Sequence, residues 1–279
     1  MILQAIDYNS ENFGKDFAES LKETGFGVIK NHPISKNKVQ TIYQNWANFF
    51  NTDEKNNFIF NKDTQDGFFP SSISEVAKNH TVKDIKEYFH IYPWGQIPNQ
   101  LRHEILDYYD TTILFAKDLL QKIEDNTPEN IKQHFSQPLT EMIENSSQSL
   151  LRVLHYPPMK GDEEPGAIRA AAHEDINLIT ILPASNEPGL QVKTKSGEWI
   201  DVPSDFGTLI VNIGDMLQET TQGYYPSTSH RVINPTGKGS DKSRISLPLF
   251  LHPRPDVILS ERYTAQSYLQ ERLQQLGVK

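Results

Sequence analysis

From residue 148 onward the sequence breaks into short β-type runs, and nothing else in the chain constrains its fold as strongly. Residues 149–156, 177–182, 189–192, 198–202, 207–213, 228–233 and 244–251 are such runs, bounded by Gly, Pro, Asn or Asp. Lys195-Ser196-Gly197 reads as a hairpin turn between two of them. Closely spaced short strands of this kind predict an all-β sandwich or jelly roll.

The first 147 residues follow a different grammar. Ser10 is placed to cap a helix carrying Phe13, Phe17 and Leu21, ended by Gly25. A short strand over 26–29 stops at His32-Pro33. Ser35 then opens a second helix with Val39, Ile42, Tyr43, Trp46 and Phe50 on one side, a stripe that reads as core. Residues 57–80 lose periodicity around Asp66-Gly67 and Pro70-Ser71-Ser72, which predicts a long loop. A helix over 99–124 buries Ile105, Tyr108, Ile113, Ala116, Leu119 and Ile123, and 125–147 reads as a short helix plus loop. A last helix, 265–276, ends at Gly277. No repeat, low-complexity tract or linker separates the halves. A mostly helical segment, 1–147, is therefore expected to pack on a β core, 148–279, that carries the C-terminal helix.

Absences narrow the chemistry. With no cysteine, the chain has no disulfide, zinc thiolate, iron–sulfur cluster or cysteine nucleophile, which fits a cytoplasmic protein. A net charge of −9 without a basic run speaks against nucleic acid as a partner. No apolar stretch approaches membrane-spanning length, and the N-terminus lacks the basic and apolar regions of a signal peptide. The expected partner is a small-molecule substrate in the cytoplasm, with neither membrane nor nucleic acid involved. The sequence specifies no oligomeric state.

Within the β half, His173 and Asp175 stand two residues apart in Ala-His173-Glu174-Asp175. On an extended strand such residues point the same way, so both can reach one ion. His230, in Ser229-His230-Arg231, lies far enough downstream to come from a neighbouring strand and complete a facial triad. Two imidazoles and a carboxylate with open positions opposite suit a non-haem Fe(II) oxygenase. Arg244 and Ser246 also share strand parity, placing a guanidinium and a hydroxyl together as a carboxylate receptor. Taken singly, each has an ordinary reading: a core histidine, an Asx-turn aspartate, a surface ion pair. Arg262-Tyr-Thr264 even matches the Arg-x-Ser/Thr pattern without an evident role. The ordered combination on predicted strands carries the argument.

Further motifs accompany it: Thr24-Gly25-Phe26-Gly27-Val28-Ile29-Lys30-Asn31-His32-Pro33, Asp84-Ile-Lys86-Glu87-Tyr88-Phe89 and Leu151-Arg152-Val-Leu154-His155-Tyr156-Pro157-Pro158. Gly189-Leu-Gln-Val192 and Asn212-Ile-Gly214-Asp215 continue the series. With these the chain resembles, over nearly its whole length, the 2-oxoglutarate- and Fe(II)-dependent dioxygenases of the isopenicillin N synthase-like type. The resemblance implies a mainly β fold with flanking helices, a double-stranded β-helix (jelly roll). It implies His173, Asp175 and His230 as iron ligands, and Arg244, Ser246 and Tyr156 as holders of the distal carboxylate of 2-oxoglutarate. The implied cofactors are Fe(II), 2-oxoglutarate as co-substrate and O₂, with ascorbate as a stimulant. The implied reaction is hydroxylation, desaturation or cyclisation of a small organic substrate, with release of succinate and CO₂. Two alternatives remain open: a 2-oxoglutarate-independent Fe(II) oxidase of the isopenicillin N synthase kind, and a non-catalytic jelly-roll binding protein. The chain departs from plant members in one respect: Leu154 stands where they have an Asn.

One residue reaches beyond these motifs. If Tyr156 points inward, strand alternation puts Leu154 and Arg152 on the same face. An inward Arg must meet an anion, either a structural Asp or Glu or the carboxylate of a primary substrate. The loop over 57–80, the segment 88–94 and the C-terminal helix are the expected lids of the site.

Overall fold

The helical stripes read from the sequence are, apart from the half-buried Tyr43 and Ile113, those the fold buries. After a short strand, β1 (Ala5–Asp7), helix α1 (Phe13–Thr24) turns Phe13, Phe17, Ala18 and Leu21 inward. Its first residue follows Asn12 with no side-chain cap; the Ser10 hydroxyl accepts from the Asn12 amide instead, so the helix starts later than a Ser10 cap would have it. Gly25, in the left-handed conformation, ends it. Strand β2 (Phe26–Lys30) leads to α2 (Lys36–Phe50), where the Ser35 hydroxyl accepts from the Lys38 amide as expected. Two strands that the sequence reading does not predict come next, β3 (Gly67–Phe69) and β4 (Glu87–Ile91). Helices α3 (Asn99–Asp125), α4 (Glu129–Lys132) and α5 (Leu139–Met142) complete the first half. The computed structural model describes residues 3–73, 84–159, 161, 163–185, 188–235 and 242–275; part of the expected 57–80 loop and residue 276 lie outside them.

The second half runs β5 (Leu150–Tyr156), β6 (Ala170–His173), β7 (Ile179–Pro183), β8 (Leu190–Lys193), β9 (Trp199–Asp201) and β10 (Leu209–Ile213). Then come α6 (Asp215–Thr220), β11 (His230–Val232), β12 (Arg244–Ser246), β13 (Leu249–Leu251) and α7 (Ala265–Gln275). The expected run 244–251 splits into β12 and β13 at Leu247-Pro248, because proline has no amide to give the ladder. A further correction concerns Asp175. Strand β6 ends at His173, so Asp175 sits in the turn beyond it rather than on the same strand.

The strands form two sheets. The larger runs β1-β2-β10-β7-β13-β5-β4-β3, with β12 also paired to β5; the smaller runs β6-β11-β8-β9. One face of the large sheet, carrying Ile29, Phe89, Leu151, Val153, Ile179, Ile181, Val211, Leu249 and Leu251, packs on α1, α2, α3 and α5 in the main core. The other face carries Phe26, Val28 and Ile210, which meet Ala170, Leu190, Val192 and Val232 of the small sheet. Phe69, Tyr88, Leu154 and Tyr156 cluster on that same inner face. The segment 88–94, expected as a lid, is thus largely a core strand: Tyr88, Phe89, His90 and Ile91 are all buried. No helix among the described residues is long and apolar enough to cross a membrane.

Candidate metal centre

His173, Asp175 and His230 converge between the two sheets. Register brings the histidines together, since His230 of β11 pairs directly with His173 of β6. Their rings lie 4.4 Å apart, and the three prospective ligand atoms all lie within 4.8 Å of one another. Asp175 is delivered by the turn after β6, and that turn is held by α6. The Asp215 amide donates to the Asp175 carbonyl at 2.7 Å, and the Met216 amide to the carbonyls of Ile176 and Asn177 at 3.2 and 3.1 Å. The fit admits only glycine at 214, where a Cβ would stand 2.1 Å from the Asn177 carbonyl oxygen.

The hydrogen bonds decide which atoms face the gap. His173 Nδ1 lies 2.7 Å from the Ala171 carbonyl and His230 Nδ1 lies 3.2 Å from the Thr228 carbonyl. A carbonyl only accepts, so each Nδ1 carries the proton and each Nε2 presents a lone pair. Asp175 Oδ2 accepts from Thr180 Oγ1 at 2.5 Å and from Asn212 Nδ2 at 2.8 Å. Its Oδ1 is left facing both Nε2 atoms, 3.8 Å from each. That is too long for a hydrogen bond. It suits a shared ion, since two ligands each about 2.1 Å from one metal lie at most about 4.2 Å apart. Three lone pairs directed at one point, with no proton between them, fit a divalent cation.

Electrostatics agree. Burial, then the neighbouring His230 and more weakly Lys86, hold the His173 pKa below 6.5 against the opposing pull of Asp175 and the Ala171 carbonyl. His173 is therefore poised as a neutral ligand, and its side chain keeps 41% of its surface open, the accessible flank of an otherwise closed site. Burial alone would raise the Asp175 pKa. The two histidines and the bonds from Asn212 and Thr180 outweigh it and keep the carboxylate ionised.

Arg244, Ser246 and Tyr156 also come together. Arg244 pairs in register with Tyr156 and Ser246 with Leu154, on the inner face. Arg244 is 5% exposed, yet its Nε and Nη1 are buried with no hydrogen-bond partner among the described residues. Two orphaned guanidinium nitrogens in such a place are a prepared receptor for an anion. Leu154 joins the apolar cluster of Phe69, Tyr88 and Tyr156, so the residue that replaces the plant Asn serves as wall rather than as a polar contact. Arg262, by contrast, is exposed, and its guanidinium donates to the Tyr263 hydroxyl.

The sequence reading misses several residues here. Thr180 and Asn212 orient Asp175; Asn212 sits in the quoted motif Asn212-Ile-Gly214-Asp215, but its partner is visible only in three dimensions. Arg169, buried at 1%, stands 5.7 Å from the Tyr156 ring, and Arg244 stands 5.6 Å from the same ring. Arg152 does lie on the inner face, and one of its hydrogen-bond partners is His90, at 2.9 Å.

Known proteins resemble this chain. Residues 147–253 match the 2OG-Fe(II) oxygenase superfamily, and residues 3–108 match the N-terminal region described as non-haem dioxygenase in morphine synthesis. A candidate oxygenase from Shewanella oneidensis is 63% identical over 100% of both chains, with a TM-score of 0.91. The 2-oxoglutarate-Fe(II) type oxidoreductase hxnY of Emericella nidulans is 34% identical over 161 residues, which span 57% of this chain and 43% of that relative. A Neurospora crassa protein solved with α-KG and thymine shares the fold, with a TM-score of 0.79 at 23% identity over 98% of this chain and 96% of that one.

Proposed function

Since the chain belongs to the 2OG-Fe(II) oxygenase superfamily, we propose that His173, Asp175 and His230 hold its Fe(II) and that Arg244, Ser246 and Tyr156 hold the far carboxylate of its 2-oxoglutarate. The observation that carries this reading is the pairing of two unsatisfied features: three converging lone pairs from the small sheet and its turn and, on the inner face of the large sheet, two guanidinium nitrogens with no partner among the described residues. When bound, the metal and the oxo acid supply the oxidant for a small organic substrate, with O₂ consumed and succinate and CO₂ released.

The chain's own residues do the rest. The Ala171 and Thr228 carbonyls fix the imidazole tautomers, and Thr180 and Asn212 fix the carboxylate. These bonds set the ligand atoms before any ion arrives, so little reorganisation opposes binding. Arg244 contributes a charged planar fork, matched to a carboxylate, at a place where water competes poorly. Phe26, edge-on to His230 at 5.6 Å, and the cluster of Phe69, Tyr88 and Leu154 line the space with carbon and limit access of water.

Succinate formation coupled to O₂ uptake, measured on the purified chain with Fe(II) and 2-oxoglutarate, tests the reading. We expect succinate in the wild type and none in His173→Ala or His230→Ala, both folded but unable to bind Fe(II). Undiminished iron affinity in both variants would refute the ligand assignment.

A further inference from the structure

A buried carboxylate from the first half of the chain meets the strand that presents His173, and its reading rests on the metal site proposed above. Strand β6 stands at the end of the small sheet and, among the described residues, pairs only with β11. The polar groups along its other edge therefore need partners from elsewhere in the fold. The segment leading into β4 supplies them. Asp84 Oδ1 accepts from the Ala171 amide at 3.0 Å, and the Ile85 amide donates to the Ile168 carbonyl at 3.0 Å. Asp84 and Ala171 are both buried. Ala171 is also the residue whose carbonyl lies 2.7 Å from His173 Nδ1 and fixes that tautomer. The amide and the carbonyl of one residue thus connect Asp84 to a candidate ligand.

The carboxylate is itself held. Lys86 Nζ donates to Asp84 Oδ2 at 2.8 Å, and the Lys86 amide donates to the Asp84 carbonyl at 3.0 Å. Each of these two side chains is only 6% exposed. With Oδ2 fixed by the ammonium, Oδ1 is aimed at β6. The two charges balance, so what the pair delivers to the strand is direction rather than net charge. A well-packed apolar pair could stabilise the fold as well as this ion pair does. It would leave the Ala171 amide buried without an acceptor.

We propose that Asp84 is a positioning residue for the metal site: through the Ala171 amide it fixes the edge strand that presents His173, and Lys86 aims it.

Two double variants separate this role from support of the fold alone. Asp84→Asn/Lys86→Met keeps an acceptor for the Ala171 amide, whereas Asp84→Leu/Lys86→Met removes it at similar volume. Both lose the same two charges. Lys86 is changed alike in each, so its other contacts cancel in the comparison. Co(II), a divalent stand-in for Fe(II) with visible d–d bands, is titrated into the full chain by calorimetry and by absorbance. The Asn variant should bind it within about threefold of the wild type, with the same spectrum. The Leu variant should bind it about tenfold or more weakly, with shifted bands, as expected on losing a group that orients a metal ligand. A Leu variant that melts lower but keeps the affinity and spectrum of the Asn variant overturns the proposal. So does an Asn variant as weak as the Leu variant, since charge rather than the acceptor would then decide. Should the Leu variant fail to fold, Asp84→Ala/Lys86→Met, in which water can reach the amide, carries the same expectation. The underlying reading fails separately, if the wild type takes up no Co(II) or if His173→Ala binds it as tightly.

Discussion

Replacing Arg244 by Met should move stability and ligand binding in opposite directions. Arg244 is 5% exposed, and two of its nitrogens are buried without partners among the described residues, so the ligand-free fold carries a charge that is poorly solvated. Met is similar in length and apolar. Exchanging buried ionic groups for well-packed apolar ones commonly gains about 1–4 kcal/mol. The metal-loaded variant without 2-oxoglutarate should therefore melt higher than the wild type, by roughly 2–4 °C per kcal/mol for a chain of this size class. Removing one partner of a buried charge pair costs about 3–5 kcal/mol, which at 1.4 kcal/mol per decade weakens 2-oxoglutarate by roughly two to three orders of magnitude. At a concentration a thousandfold above the wild-type Kd, the co-substrate stabilises the wild type by about 4 kcal/mol. It stabilises the variant by only about 0.4–1.4 kcal/mol. Anaerobic thermal melts should thus place the variant above the wild type without 2-oxoglutarate, and the co-substrate should raise the wild type by about 3 kcal/mol more than the variant. A variant that melts lower without co-substrate and gains as much from it as the wild type would refute the receptor assignment.

Three further outcomes are expected. Asn212→Leu removes one of the two donors to Asp175 Oδ2 and should weaken Fe(II) by about ten- to a hundredfold with unchanged far-ultraviolet circular dichroism; wild-type iron affinity would show that Thr180 suffices alone. Burial holds the His252 imidazole down at about 4, against 6.5, with the Phe250 carbonyl and Asp175 opposing. The unfolded chain therefore takes up this proton first as pH falls, and the stability conferred is complete above 6.5 and lost on the way to about 4. At 1.36 kcal/mol per pH unit the loss reaches roughly 3 kcal/mol, so urea titrations of His252→Asn should show a flatter acid limb, and a parallel limb would count against it. Gly214→Ala places a methyl 2.1 Å from the Asn177 carbonyl oxygen and should cost about 1–3 kcal/mol or more, with iron binding weakened through the displaced Asp175 turn; a wild-type melting temperature would contradict it.

What could be read from the chain divides along physical lines. The helix stripes of α1, α2 and α3 and the runs that became β5, β7, β8, β9, β10 and β11 were legible because periodicity and turn residues are local signals. The three candidate ligands were legible because few residue types bind iron. His173 and Asp175 do not share a strand as their spacing predicts, since β6 ends at His173 and Asp175 is aimed from a turn. What aims it is not local: amides of α6, some forty residues on, and the side chains of Thr180 and Asn212 on β7 and β10. Strands β3 and β4 escaped notice for a related reason. Glu87-Tyr-Phe-His-Ile91 is buried on both faces, so it lacks the alternation that marks a half-exposed strand, and its partner β5 lies some sixty residues away.

That misreading bears on how the site is built. A mostly helical N-terminal segment, packed from outside, would support the catalytic half without entering it. Instead the segment gives β1 to β4 to the large sheet, two strands at each end of its path. At one end β2 pairs with β10, the strand that carries Asn212, and brings Phe26 edge-on to His230. Close approach there needs Gly25, where a Cβ would lie 2.3 Å from Thr228 Oγ1, in the segment whose carbonyl sets the His230 tautomer. At the other end β4 pairs with β5 and sets Tyr88 beside Leu154 and His90 beside Arg152. The three candidate ligands belong to the second half, but the first half orders the surroundings of one of them, His230, and adds Phe69 and Tyr88 to the carbon wall beside Leu154. Both halves therefore contribute to one cavity: the second supplies the candidate ligand atoms and Leu154, and the first supplies Phe26, Phe69 and Tyr88.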